Sequence, residues 1–302
     1  ETNFGYASFN GKYALSDTLK LTGQVSTSES AAFYDNKRIV SNIYGVTTTI
    51  SYGSDHVYPG LTATGIDFTD PSRYQDFSTA IDWNREVDRE HTARLVADWD
   101  YNLGSWTGHL KAGASYVDTS KQKVKRNGTA LATAKLNAVG TAGLRAAMLH
   151  SVPLDNLVIG DNYPNAWATF SRDYVNSTLD PIGDAMASPI DLSTSFTADE
   201  AITTLFLQSD FTGQVLDREL RINAGVRYSD TKSTIDNYKK TGAGGTYLPN
   251  EEKSGYSNVL PSVSFAYDLS DKLIWRGSWG KTITRASLSL IAAQTVIPNI
   301  YN

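Results

Sequence analysis

The residues whose type and spacing suit them to chemistry are charges set two apart. Asp98 and Asp100 share one face of an extended segment, the geometry of a paired-carboxylate site. Arg94 lies on the same face, which favours a charge network over an acid–base pair. Lys111, Arg221 and Arg227 occupy polar positions of similar segments. His56, His91, His109 and His150 show no HExxH or comparable spacing and read as isolated polar positions rather than metal ligands. No Ser/His/Asp arrangement follows from spacing. Gly242-Ala243-Gly244-Gly245 lacks the Lys-Ser/Thr and helix of a phosphate loop and reads as a flexible loop tip. Asp155 to Asn165 and Asp180 to Asp184 offer oxygen ligands for calcium, but without EF-hand spacing, so solvated turns are expected. Tyr74, Trp83, Tyr163, Trp167 and Tyr247 carry rings able to stack on a sugar or flat ligand, against the competing role of packing loops together. No catalytic residue, metal or cofactor is expected, and the chain reads as a non-enzyme.

The elements that position these residues must suit an unusual composition. The chain has 302 residues, 40% hydrophobic, with a formal net charge of −5 and no cysteine. It holds 17 Tyr, 10 Phe and 6 Trp, which argues against disorder. No apolar run of roughly 18 residues exists, so a helical membrane protein is excluded. The absence of cysteine excludes disulfide scaffolds and thiolate metal sites. Mild acidity gives no reason to expect nucleic acid as a partner. Glu1 to Tyr6 lack the charged and apolar regions of a signal peptide.

The dominant signal is period-2 alternation, the mark of a half-buried strand. Leu220, Ile222, Ala224, Val226 and Tyr228 oppose Arg221, Asn223, Gly225 and Arg227. Trp106 to Tyr116 and Ala93 to Tyr101 repeat the pattern. Turn signals at Ser16-Asp17, Leu103 to Ser105, Val215 to Arg218 and Ser270-Asp271 join strands into hairpins. The expected strands are 3–15, 18–28, 89–101, 106–119, 200–213, 219–235, 255–268 and 272–285. Pro261 falls inside a strand, where a bulge or a late start of pairing is expected. Ala130 to His150 suggests a short helix, and Ile39 to Tyr52 further β structure.

Short turns alternate with long loops at about 29–88, 120–199 and 236–254. Such loops are rare in compact domains but typical of one end of an outer-membrane β-barrel. Trp106 and Tyr116 lie on one face about ten residues apart, which at a tilt near 45° spans roughly 24 Å of membrane normal. With Trp99, Tyr101, Tyr267 and Trp275 they are expected to form aromatic girdles. The fold class is therefore all-β, an antiparallel transmembrane β-barrel with long extracellular loops. Arg94, Asp98, Asp100, Lys111, Arg221 and Arg227 are expected on its lumen side.

Leu260-Pro261-Ser262 and Tyr267-Asp268-Leu269-Ser270-Asp271-Lys272-Leu273 resemble the barrel of TonB-dependent receptors. Asn223 to Tyr228 resembles the preceding strand, and Thr284-Arg285 the family's Thr-Arg, with Ala286 where Pro usually follows. Asp70-Pro71-Ser72-Arg73-Tyr74 and Thr92 to Tyr101 resemble the branch found in Caulobacter- and Sphingomonas-type bacteria. The resemblance implies a barrel of about 22 strands closed by an N-terminal plug, and import driven by the TonB complex. No plug-like domain or TonB box is recognisable, so residues 1–302 are expected to be about eight contiguous barrel strands of a longer protein. The implied partners are outer-membrane lipid and lipopolysaccharide, the plug, TonB, and a scarce small-molecule or oligosaccharide substrate such as a siderophore. The implied location is the bacterial outer membrane, where the sequons at Asn127 and Asn176 carry no weight. Two rival readings are a passive porin-like channel and a soluble β-sandwich glycan-binding module. The second would leave Trp99, Trp106 and Trp275 as exposed apolar surface.

Overall fold

The computed structural model describes residues 1–52, 59–148, 150–153, 166–179, 183, 186–242 and 244–292. Its strands are β1 (Thr2–Ala14), β2 (Leu19–Asn42), β3 (Thr47–Tyr52), β4 (Pro59–Thr64), β5 (Gln75–Leu103), β6 (Trp106–Asn127), β7 (His150–Pro153), β8 (Ala166–Thr169), β9 (Phe196–Val215), β10 (Arg218–Lys240), β11 (Tyr247–Ser270) and β12 (Leu273–Gly280). Its helices are α1 (Thr129–Ala147), α2 (Arg172–Thr178) and α3 (Leu288–Ala292), with a 3₁₀ turn at Pro71–Arg73. The chain divides into two compact units. The first holds Glu1–Ala32, Arg85–Val124 and Leu192–Asn302; the second holds Phe33–Asn84 and Lys125–Asp191.

Eight strands form one sheet in the order β1-β2-β5-β6-β9-β10-β11-β12. The pairings β1/β2, β6/β9, β9/β10, β10/β11 and β11/β12 are antiparallel. Tight turns close the hairpins. Gly104 takes φ +64 between β5 and β6, where a side chain would be strained. Between β9 and β10 both central residues, Leu216 and Asp217, have positive φ (51 and 59), as a type I′ turn demands.

Register sets the two faces of the sheet. Ala112, Leu207, Val226 and Pro261 stand in line across β6, β9, β10 and β11, and so do Tyr116, Thr203 and Asp230. On this apolar face Leu95 is 55% exposed, Leu207 47%, Val226 43% and Trp275 58%. So much exposed hydrocarbon is out of place in water and suits lipid. The opposite face carries Asp98, Lys111, Gln208, Arg221 and Arg227, one residue along each strand.

Close approach of strands under rings explains several glycines. A Cβ at Gly108 would lie 2.2 Å from Tyr101 Cζ, and one at Gly213 would lie 2.2 Å from Trp106 Cδ2. Each ring thus lies across a neighbouring strand at a position only glycine leaves open.

The second unit has a core of its own. Ile81, Ala132, Leu136, Leu144 and Leu179 are buried together, with Ile39, Phe77, Phe170, Tyr174 and Val175 against them. Helix α1 supplies three of these, and Gly140 (φ 73) kinks it. Ser171 caps α2 by accepting the Tyr174 amide at 3.1 Å. Two small sheets, β3/β4 and β7/β8, complete the elements between the long strands.

The strands outrun their expected lengths. β5 has 29 residues and β11 24; in β11 the ladder with β10 carries through Pro249-Asn250 and Ser254-Gly255, which read locally as turn residues. The expected loop 236–254 is mostly strand: Lys240 pairs with Tyr247, and only a tip at 241–246 remains, closed by Thr241 N–H donating to Thr246 O at 3.1 Å. The expected helix within 120–199 is α1, and β structure in Ile39 to Tyr52 takes the form of β3 and the end of β2. No bulge occurs at Pro261. Its carbonyl accepts the Lys281 amide at 3.0 Å, so its missing donor faces β12 just beyond the last ladder pair, Ser262 with Gly280. The β10 ladder runs past it unbroken, and the register shift lies at Asp268/Ser270 instead. β12 therefore ends at Gly280, short of the expected 285.

Candidate functional site

The polar face of the first unit gathers the charged residues at three levels along the strands. At the turn end, the β5–β6 hairpin sets His109 between two carboxylates. Its Nδ1 is 2.6 Å from Asp100 Oδ1 and its Nε2 3.2 Å from Asp98 Oδ1. Lys111 Nζ lies 3.8 Å from the same Asp98 oxygen. Asp210, which pairs with His109 across β6/β9, accepts from Asn223 Nδ2. Arg221 donates to Asp268 at 2.7 Å and lies 3.2 Å from Glu219. These contacts tie neighbouring strands by charge where the face holds no apolar core.

Farther along, beyond the Tyr116 position, a second group forms. Lys121 Nζ lies 3.0 Å from Asp88 and 3.4 Å from Glu86, and Lys123 lies 3.1 Å from Glu86. Partial burial pulls the Lys121 ammonium down, but Asp88 and Glu86 outweigh it and hold its pKa above the ordinary lysine value. Glu86 loses to burial in the same way, yet Lys123 and Lys121 together keep its carboxyl below the usual range.

Between these levels the face changes character. Arg94 stacks over the Phe206 ring at 5.8 Å. Arg285, on the segment after β12, donates to Ser229 Oγ at 2.7 Å. Helix α3 then lies on the same face, where Ala198, Ile235 and Ala292 are buried with Phe196, Leu288 and Ile291. A pocket of about 430 Å³ opens here, lined among others by Phe206, Gln208, Arg227, Lys281 and Arg285.

The residues expected at the lumen, Arg94, Asp98, Asp100, Lys111, Arg221 and Arg227, thus share one face, and all but Arg227 make the contacts given above. Spacing alone gives His109 as an isolated polar residue, whereas the structure sets it between two carboxylates. The signal that reveals it is hairpin arithmetic: a turn closing at Leu103 and Trp106 sets His109 opposite Asp100. Glu86, Asp88 and Lys121 were hidden inside segments read partly as loop.

The expected girdle aromatics lie on the apolar face. Trp99 and Tyr101 rings are 5.2 Å apart, and Trp275 meets Phe265 edge-on at 4.8 Å. Tyr101 reaches Ser209 Oγ at 2.8 Å, and Tyr267 donates to Val215 O at 3.1 Å. Trp106 and Tyr116 stand at the two ends of the same row on β6.

The described loop aromatics each contact other side chains or backbone of their own unit. Tyr74 is 5% exposed in a cluster with Met148 and Ala168, and its hydroxyl donates to Phe68 O at 2.7 Å. Burial raises its pKa. Trp167 lies against Phe68 at 4.5 Å and Trp83 near Phe33 at 6.4 Å. Tyr247 lies under Lys240, 5.8 Å from its ammonium. Rings engaged in this way are occupied by the protein's own packing. Tyr163, His56, the stretch 155–165 and most of 180–184 lie outside the described residues, as does the side chain of His150. His91 meets Thr27 Oγ1 at 2.9 Å. Among the described residues no group of three or more His, Asp or Glu is disposed to hold a metal ion, and no helix is long and apolar enough to cross a membrane.

Several solved structures are similar. The ferric-catecholate import receptor Fiu from Escherichia coli K12 matches at 10% identity and TM-score 0.48, over 89% of this chain and 31% of that one. The ferric preacinetobactin receptor BauA from Acinetobacter baumannii matches at 13% identity and TM-score 0.44, over 90% and 29%. The siderophore receptor PiuA from Acinetobacter baumannii matches at 10% and TM-score 0.44, over 88% and 32%. The chain thus spans about a third of the length of the solved structures it matches. No curated protein matches it. The family model for the TonB dependent receptor-like β-barrel matches residues 31–301, nearly the whole chain. With its long antiparallel strands, one face apolar and the other charged, the chain belongs to the TonB dependent receptor-like β-barrel family and forms part of such a barrel.

Proposed function

We propose that this chain works as barrel wall in an outer-membrane active transporter that imports a scarce solute with energy supplied through TonB. The family match over residues 31–301 carries the reading. The apolar face meets outer-membrane lipid and lipopolysaccharide, with Trp99, Tyr101, Trp106, Tyr116, Tyr267 and Trp275 at the lipid boundary. The polar face meets a plug domain through Asp98, Asp100, Arg221 and Arg227. The second unit, with its own core, screens or first engages solute. Remaining barrel strands and the plug are supplied by further sequence of the same protein. The reaction is transport, not covalent chemistry. The narrower likeness of Asp70–Tyr74 and Thr92–Tyr101 to the Caulobacter and Sphingomonas branch finds no support in the similar proteins.

The test uses the intact protein in planar bilayers and in hydrogen exchange. A plugged transporter gives no steady conductance, and reversing charge at Arg221 or Arg227 lowers amide protection in its plug. Steady ohmic conductance of the unmodified protein overturns the reading in favour of a passive channel. Unchanged plug protection in both variants overturns the assignment of Arg221 and Arg227.

A further inference from the structure

Several cations of the polar face are paired with carboxylates. Arg221, Lys121, Lys123 and Lys111 each lie within ion-pair distance of a carboxylate. The pocket between the turn end and α3 instead gathers three cations. Arg227, Lys281 and Arg285 line it, and among the described residues none lining it is acidic. Among the described residues none of these three has a carboxylate partner, and the one side-chain contact Arg285 makes is to the Ser229 hydroxyl at 2.7 Å. Arg94, held over Phe206, stands behind a ring that lines the same pocket.

Three like charges facing one space repel one another unless a counter-charge enters. The fold nonetheless brings them together by specific means. The Lys281 amide is anchored on Pro261 O at 3.0 Å, and Ala292 is buried against Ala198 and Ile235, so the intervening segment is held across the strands at both ends. Gly225 keeps the floor low: a Cβ there would lie 3.1 Å from Leu207 O. The volume, about 430 Å³, is that of a small-molecule pocket.

We propose that this pocket is a binding site for a small polyanionic solute, one bearing two or more carboxylate or phosphate groups. The assignment rests on the transport reading above and narrows its substrate class. Arg227 and Arg285 present forked donors that suit planar oxyanions, and Lys281 adds a point charge. Gln208 and Ser229 offer neutral hydrogen bonds for orientation.

The experiment is calorimetric titration of the intact protein in detergent with tricarballylate, pyrophosphate and the neutral sugar maltotriose. The expected result is binding of one or both anions, weakening as salt rises, with none for maltotriose. The Arg227→Gln/Arg285→Gln double variant should weaken anion binding by about tenfold or more. The Arg276→Gln variant, altered on the same face outside this pocket, should bind as the unmodified protein does. Heat-dependent gel migration of each variant confirms that the barrel is folded. Equal anion affinity in the folded double variant, no anion binding at all, or tighter binding of maltotriose overturns the proposal. Conductance separates the two readings. A closed protein that binds no anion loses the site but keeps the transport reading. A steadily conducting protein whose anion binding needs Arg227 and Arg285 keeps the site and loses active transport.

Discussion

The Tyr101 hydroxyl on β5 meets Ser209 Oγ on β9 at 2.8 Å, although β6 lies between those strands. The ring spans the gap because Gly108 on β6 has no side chain beneath it. The contact settles the tyrosine's polar tip on a face otherwise made of hydrocarbon, and Phe211 meets the ring edge-on at 6.1 Å.

Gly108→Ala should therefore dislodge the ring. We expect a loss of about 1–3 kcal/mol in chemical unfolding of the intact protein in lipid vesicles. Tyr101→Phe, which removes only the hydroxyl, should cost about 1 kcal/mol. On a Tyr101→Ala background, Gly108→Ala should cost little, because the two residues act as one unit. Additive losses would show that the ring does not rest on Gly108.

Leu207 and Gln208 are neighbours on β9 that face opposite ways, near the middle of the span between the Trp106 and Tyr116 levels. Leu207→Arg should lower stability in vesicles by about 2–4 kcal/mol, since it places a charge in hydrocarbon. Gln208→Arg, on the polar face, should show no comparable penalty. Similar unfolding midpoints for both variants would mean the apolar face does not meet lipid.

The turn at Leu216 and Asp217 holds two non-glycine residues at positive φ. Left-handed backbone costs an ordinary L-residue roughly 1–2 kcal/mol. Replacing the pair with Asn-Gly, the favoured type I′ sequence, should raise the unfolding midpoint. Leu216 is 87% exposed, so little packing is lost. A lowered midpoint would show that these side chains serve another purpose at this end.

The Glu86–Lys121–Asp88 group should make local stability depend on pH. The folded pKa of Glu86 lies below the ordinary glutamate value, so its contribution is present above that ordinary value and lost as pH falls through the folded one. The folded pKa of Lys121 lies above 10.5, so its contribution is present below that pH and lost as pH rises through the folded value. Amide protection in the outer parts of β5 and β6 should therefore be flat at neutral pH and fall at both extremes. Lys121→Met should blunt the acid limb and leave what Lys123 supports. Protection in the unmodified protein that stays unchanged until its carboxylates are fully protonated would count against this network.

Alternation in the sequence alone determined the strands, their hairpins and their faces. A period of two is a local property, and Leu220 to Tyr228 shows it without any neighbour. The polar-face set from Arg94 to Arg227 followed from parity for the same reason. Strand ends were less legible, because polar alternation beyond Tyr116 looks like loop until a partner strand supplies the ladder. Pro261 shows the limit clearly. Whether its missing donor matters depends on which neighbour it faces, and that is decided by where β12 stops. His109 meets Asp98 and Asp100 within a single hairpin, but Arg227, Lys281 and Arg285 came to share a pocket only through segments far apart in the chain. Pairwise charge contacts of that kind have no period in sequence, so only the tertiary structure decided them.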